Sequence, residues 1–383
     1  MIDPGFFYHS LVQSGIVWYA GIPDSLLKSF CAYVTDHTDQ YNHTIAANEG
    51  AAVGLAMGYH LATGRVPLVY LQNSGLGNIV NPCLSLADQA VYAIPMIFLI
   101  GWRGEPGIQD EPQHVKQGRV TLTMLQAMDI PYHVIDRDTE NVEQVIQAGV
   151  QTACEKSAPY AIVVRKGTFA NYTLQDTQAI ESGFNRETAI REVLRQSDPQ
   201  DIIVSTTGMA SRELFECRVA SGQGHQQDFL TVGGMGHACQ IALGIAGQKR
   251  ERRIICLDGD GAALMHMGSM AICGISGLKN FIHIVINNGA HDSVGGQPTV
   301  GFDVCLKQVA AACGYLYTDC VADPAELHRA ISRVLQTSGP AMLEIQVNKG
   351  YRKNLGRPTV CPKKNKERFM SFISKTESSV MPV

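Results

Sequence analysis

Short apolar runs alternate along most of the chain with longer stretches in which apolar and polar positions repeat at helical spacing. In the first half, the short runs at 43–47, 67–72, 96–101 and 160–164 predict strands. The stretches 49–62 and 120–128 predict helices. The second half has the same rhythm. Strands are predicted at 201–205, 253–257, 281–286 and 341–347, and helices at 185–195, 235–247, 266–276 and 324–337. The strand runs are predominantly apolar and do not alternate, as expected where both faces of a parallel sheet are covered. Strands interleaved with helices predict an α/β chain with doubly wound parallel sheets. The polar stretch around 166–185 has no periodicity, so the chain divides into a domain at 1–170, a linker at 171–184 and a domain at 185–383. No short-period repeat is present.

Composition narrows the class. The chain has 383 residues, 45% hydrophobic and 17% charged, enough for two domains with substantial cores. A net charge of −4 argues against a nucleic-acid partner, which would need a basic surplus. The 11 cysteines lie scattered in apolar stretches with no C-x-x-C pair. They are expected to be reduced, buried thiols of a cytoplasmic protein, neither a disulfide framework nor a zinc site. No charged segment followed by an apolar run opens the chain, so no signal peptide is expected. The most apolar stretch, 91–102, contains Pro95 and is too short to span a bilayer, so no membrane role is expected. A nicotinamide dinucleotide fold is disfavoured. Ser74-Gly75-Leu76-Gly77-Asn78 lacks the third glycine of the fingerprint, and Gly233-Gly234-Met235-Gly236 has the wrong spacing.

The strongest chemical signal is a pair of strand ends. Gly259-Asp260-Gly261 follows one predicted strand and Asn287-Asn288 follows another, with 25 residues between Gly261 and Asn287. Ligands of open α/β sheets bind outside the carboxyl ends of the strands, so Asp260 and Asn288 should emerge at one edge. A carboxylate and an amide oxygen suit Mg²⁺ or Ca²⁺. Glycines 259, 261 and 289 allow backbone to approach a bulky anion. Either signal alone would read as an ordinary turn. In the first half, Asn48-Glu49-Gly50 opens a helix in which Gly50, Gly54 and Gly58 share a face, suggesting close approach of another helix. An acidic residue in the first helical turn is favoured by the macrodipole, so Glu49 by itself carries no function.

Glu49 at a helix start, Gly-Asp-Gly and Asn-Asn together resemble the thiamine-diphosphate-dependent decarboxylases. The resemblance covers nearly the whole chain and is to a minimal two-domain member without a central third domain. It implies two doubly wound domains of the thiamine-diphosphate-binding fold, pyrimidine-binding and then pyrophosphate-binding. It implies thiamine diphosphate and Mg²⁺ as cofactors. Glu49 would hydrogen-bond the aminopyrimidine. Asp260, Asn288 and the carbonyl of Ala290 would hold the metal. Thr207, Gly208, Gly259, Gly261 and Ala262 would line the diphosphate. The Gly233 carbonyl would face the amino group, Met235 would wedge the bent cofactor, and His291 would face it with a catalytic role. The family arrangement also implies a homo-oligomer, at least a dimer, with active sites between subunits.

Further segments narrow the match within that family. They are Gly21-Ile22-Pro23-Asp24-Ser25, Asn73-Ser74-Gly75-Leu76-Gly77-Asn78, Gly101-Trp102-Arg103-Gly104-Glu105-Pro106, Asp110-Glu111-Pro112-Gln113-His114, the run 287–298, and Arg352-Lys353-Asn354-Leu355-Gly356-Arg357-Pro358. Gly234 and Cys239 are departures near the pyrimidine segment. The resemblance implies decarboxylation of the anionic 2-oxo acid 3-phosphonopyruvate to phosphonoacetaldehyde and CO₂. Sulfopyruvate or another acidic 2-oxo acid is the alternative. Asp24, Ser25, Asn73, Asn78, Arg103 and His114 are the candidate substrate residues, with Ser25 alternatively a helix cap. Arg352, Lys353 and Arg357 read as a solvated charged tail rather than a direct contact.

Overall fold

The computed structural model describes residues 1–175 and 183–374. The chain forms two compact units, Met1–Thr177 with Ser293–Gln297, and Gln178–Asp292 with Pro298–Val383. The predicted linker 171–184 lies partly outside the described residues, at 176–182. Each unit is built on a parallel sheet of six strands. Among the described residues, no helix is long and apolar enough to cross a membrane.

The first sheet contains β1 (Tyr19–Gly21), β2 (His43–Ile45), β3 (Leu68–Gln72), β4 (Met96–Gly101), β5 (Tyr132–Ile135) and β6 (Pro159–Val164), in the order β2-β1-β3-β4-β6-β5. β4 is buried along its whole length, as its unbroken apolar sequence requires. The second sheet contains β7 (Ile202–Ser205), β8 (Asp228–Leu230), β9 (Ile254–Gly259) and β10 (Phe281–Asn287). After the short β11 (Ala290–His291) and β12 (Gln297–Pro298) come β13 (Tyr317–Val321) and β14 (Ala341–Gln346). The order is β13-β14-β10-β9-β7-β8. Two helix starts that border the site regions carry side-chain caps: Asn48 accepts from the Ala51 N–H and Asn185 from the Thr188 N–H, both at 2.9 Å.

Several sequence expectations change. The helix expected at 120–128 begins earlier, at Pro112, because proline is well tolerated in a first turn. The helix expected at 266–276 is two short ones, Asp260–Met265 and Gly268–Gly274, broken where His266 leaves helical geometry. The helix expected from Met235 begins at Ala238, because Gly234 and Gly236 take positive φ of 63° and 83°. Met235 therefore sits in a loop. Of the three spaced glycines, Gly50 meets a neighbouring segment: a Cβ there would lie 3.0 Å from the Asn78 carbonyl oxygen. Beyond the helix's own backbone, no atom of the described residues lies within 4 Å of the corresponding positions at Gly54 and Gly58.

His43, on the edge strand β2, bonds the Tyr70 hydroxyl through Nε2 at 2.8 Å. Burial pushes its pKa from 6.5 down to about 4. The unfolded chain takes up this proton first, so His43 removes stability as pH falls from about 6.5 toward about 4. His43→Gln keeps a hydrogen-bonding side chain without that titration. Its Tm should fall less than the parent's between pH 6.5 and 4.5 in a thermal-denaturation series.

Candidate active site

In the second unit, the chain runs from β7 out to β8 on one side and returns to β9 on the other. The carboxyl ends of β7 and β9 therefore flank the switch point where such sheets bind ligands. The loops leaving β7, β8, β9 and β10 carry Thr206 to Gly208, Gly233 to Met235, Asp260 and Asn288 respectively, along one edge. The base of this edge is fixed by polar bonds. The fully buried Asp258 accepts from the Gly259 N–H at 3.0 Å and from His283 at 3.4 Å. Ser211 bonds Ser205 Oγ at 2.6 Å and the Thr206 carbonyl at 2.7 Å.

Asp260 is buried and accepts from the Thr299 hydroxyl and the Asn288 N–H. Burial raises its pKa to about 6, against these hydrogen bonds, which lower it. These donors are neutral, and a divalent cation is the partner that would offset the burial of this carboxylate. Asn288 is also buried, with its side-chain oxygen 3.3 Å from the Ala290 N–H. On the diphosphate side, Thr206 Oγ1 is buried without a hydrogen-bond partner among the described residues, and Gly208 has φ 87°. Thr207 is half-buried, Ala262 buried and Gly233 exposed. Gly261 completes a cradle: a Cβ there would lie 3.0 Å from His291 Cε1 and 3.3 Å from the Met235 methyl. Burial pushes the His291 pKa down to about 4, so it is neutral at pH 7. Hard oxygen donors, an orphan hydroxyl and a glycine cradle fit a metal and diphosphate.

In the first unit, Glu49 follows its Asn48 cap and is only 5% exposed. Its Oε2 accepts from Asn78 Nδ2 at 2.7 Å. Gly75 lets the carboxylate lie flat against the chain, since a Cβ at 75 would come 2.6 Å from Glu49 Cδ. Asn78, expected to face a substrate, instead holds Glu49.

Asp24, Gln72 and Arg103 come from the carboxyl ends of β1, β3 and β4. Arg103, a candidate substrate residue, already has partners within the chain. Its Nε and Nη2 grip Asp110 at 2.8 and 2.5 Å, and its Nη1 donates to Ser25 at 2.7 Å. Ser25 does not cap the following helix, which starts with no side-chain cap. Asp24 is fully buried, and burial raises its pKa to about 6 despite the nearby Arg103. Asn73 is withdrawn from the substrate set. Both its amide hydrogens are engaged, by the Arg103 carbonyl and by Thr121, each at 2.8 Å. His114 is half-buried, pushed down to about 4 by burial, and its Nδ1 has no partner among the described residues.

The expected basic tail is tied down. Arg352 pairs with Glu187 at 2.9 Å and with Glu216, and Arg212 holds the carbonyls of Leu355 and Gly356. Glu187 and Glu216, on the distant helices Arg186–Gln196 and Met209–Ala220, neutralise Arg352, while Lys353 and Arg357 are exposed as expected. Thr299, Asp110 and Gln72 are site neighbours that the sequence did not reveal. Only Asp110, beside His114 in a quoted segment, left a trace.

Both units of the chain match known protein families. Residues 6–125 match the thiamine pyrophosphate enzyme N-terminal TPP binding domain, and residues 206–345 match the C-terminal TPP binding domain. Phosphonopyruvate decarboxylase of Streptomyces viridochromogenes is 33% identical, over 98% of this chain and 96% of its own length. Phosphonopyruvate decarboxylase of Streptomyces hygroscopicus is 32% identical, over 97% and 94%. Sulfopyruvate decarboxylase of Methanosarcina acetivorans is 27% identical, over 79% and 80%. The chain therefore belongs to the thiamine diphosphate enzymes and, within them, to the phosphonopyruvate decarboxylase family.

Proposed function

We propose that the protein decarboxylates 3-phosphonopyruvate to phosphonoacetaldehyde and CO₂ without oxidation, as a carboxy-lyase of phosphonate biosynthesis that uses thiamine diphosphate and Mg²⁺. The observation that carries the substrate is the match to two phosphonopyruvate decarboxylases over nearly the full length of both partners. When bound, thiamine diphosphate supplies an electron sink for the electrons released as CO₂ leaves. The chain's own residues hold and position it. Asp260, Asn288 and the Ala290 carbonyl are assigned to the metal, and the Thr206 to Gly208 loop with Gly259, Gly261 and Ala262 to the diphosphate. Glu49, with its carboxylate fixed by Asn78, holds or moves a proton at the aminopyrimidine ring. Met235, Gly233 and neutral His291 shape the wall beside Gly261.

For the substrate, the reading rests on the cluster of Ser25, Arg103 and His114. Arg103 is preset by Asp110 and Ser25 with N–H groups left over for an anionic oxygen. His114 Nδ1 is a further polar atom there. A homo-oligomer of at least two chains and a cytoplasmic site of action belong to the same proposal. The 11 unpaired cysteines support the latter.

Sulfopyruvate is the second reading, favoured by the weaker match to sulfopyruvate decarboxylase and by the similar charge and shape of the two acids. Steady-state rates with phosphonopyruvate, sulfopyruvate and pyruvate, each with and without Mg²⁺ and thiamine diphosphate, test the assignment. Phosphonopyruvate should give the highest kcat/KM. A higher value for sulfopyruvate reverses the substrate assignment.

A further inference from the structure

A buried charge network stands behind Asn288. Asn288 Nδ2 donates to Asp292 Oδ2 at 2.7 Å. Asp292 also accepts from the Gly350 N–H, at 3.2 and 3.1 Å to its two oxygens, and from Arg186 Nη1 at 3.1 Å. Arg186 in turn forks onto Glu213, with Nε to Oε2 at 2.8 Å and Nη2 to Oε1 at 3.1 Å. The three charged side chains are 9%, 2% and 8% exposed for Arg186, Glu213 and Asp292. Arg186, Glu213 and Gly350 reach this loop from three distant stretches: the helix Arg186–Gln196, the helix Met209–Ala220, and the segment after β14.

The chemistry of an amide makes this arrangement more than scaffolding. The two ends of an asparagine side chain have nearly the same shape, so its partners decide which end faces where. An ionised carboxylate only accepts. Asp292 therefore selects the NH₂ end of Asn288, and the oxygen turns to the other side, near the Ala290 N–H. The Asn288 N–H meanwhile bonds the Asp260 carboxylate, which keeps the two residues side by side. Asp292 is itself held by a fixed guanidinium and a backbone N–H.

We propose that Asp292, anchored by Arg186 and the Gly350 N–H, is a positioning residue that fixes the Asn288 amide with its oxygen presented to the divalent metal. This rests on the metal assignment made above. Outer partners of metal ligands commonly set affinity in this way.

Titration of the full-length protein with Mn²⁺ in the presence of thiamine diphosphate, followed by electron paramagnetic resonance, reads metal affinity without turnover. Asp292→Asn keeps the shape, but its amide can donate as well as accept, so Asn288 loses its imposed orientation. Mn²⁺ affinity should fall about tenfold or more. Arg186→Lys, which keeps the charge and loses the fork, should give a smaller loss in the same direction. Asp228→Asn serves as the stability control. It weakens the buried Arg218 pair, 2.9 Å long and away from Asn288, and should lower Tm with Mn²⁺ affinity retained within about twofold. Unchanged affinity in Asp292→Asn overturns the proposal, as does an equal loss in Asp228→Asn. A metal assignment that is itself wrong shows differently: Asp260→Ala would then bind Mn²⁺ as the parent does.

Discussion

Glu49→Gln should lower the kcat for phosphonopyruvate by about two to four orders of magnitude, the usual range for a lost acid–base group. The cofactor should still be retained in the presence of Mg²⁺. Glu49 is buried at a capped helix start, bonded to Asn78 at 2.7 Å and packed against the bare backbone of Gly75. Glutamine fills the same space, and its carbonyl oxygen can still accept from Asn78, so folding should survive. What it lacks is a carboxyl group that can take and return a proton. The metal and diphosphate residues all lie in the second unit and are untouched. Steady-state kinetics paired with calorimetric titration of thiamine diphosphate separates the two effects. Near-parental turnover in this variant would sink the assignment of Glu49.

Asp260→Ala should act on the opposite step. It removes the buried carboxylate at the carboxyl end of β9, together with the acceptor for Thr299 and for the Asn288 N–H. The loss in metal affinity should exceed the roughly 10- to 100-fold expected of an outer partner, and turnover should fall with it. The two variants also test the proposed assembly. Each alone should be nearly inactive. In a symmetric dimer with shared sites, a mixed pair of Glu49→Gln and Asp260→Ala chains contains one site with both native residues. Random mixing of equal amounts should therefore restore about a quarter of the parental rate. If refolded mixtures show no recovery, while each chain assembles normally, sites shared between subunits are ruled out.

The parts of the fold that the sequence reveals share a physical property. Long apolar strands such as β4 and β10 announce themselves because both faces are buried, and only His283 interrupts the apolar run of β10. In the two six-stranded sheets, the strands missed are β1, β5, β8 and β13. β1 and β8 have three residues each, and β13 reads Tyr-Thr-Asp-Cys-Val, so neither length nor pattern separates them from loops. The site divides in the same way. Asp260, Asn288 and Glu49 sit at strand or helix ends with glycines beside them, which local sequence can register. The partners that give them orientation, Asp292, Arg186, Thr299 and Asn78, matter only through pairings made by folding. Asp292 left one trace, an acid four residues after Asn288. Arg186 lies 102 positions before Asn288 and left none. Asn73 and Arg103 show the converse. Their residue types suit an anion, but in the folded chain Asn73 has no donor left, and Arg103 already grips Asp110 and Ser25.

Gly75, which bears no side chain and performs no chemistry, has an outsized bearing on how this protein can vary. With a Cβ at 75 only 2.6 Å from Glu49 Cδ, even alanine forces either the loop or the carboxylate to move. In a saturation-mutagenesis map scored by growth or turnover, position 75 should look as indispensable as position 49, although the two fail for different reasons. A lineage that drifts at 75 would need a second change that restores room for Glu49, so the two positions should evolve as a unit.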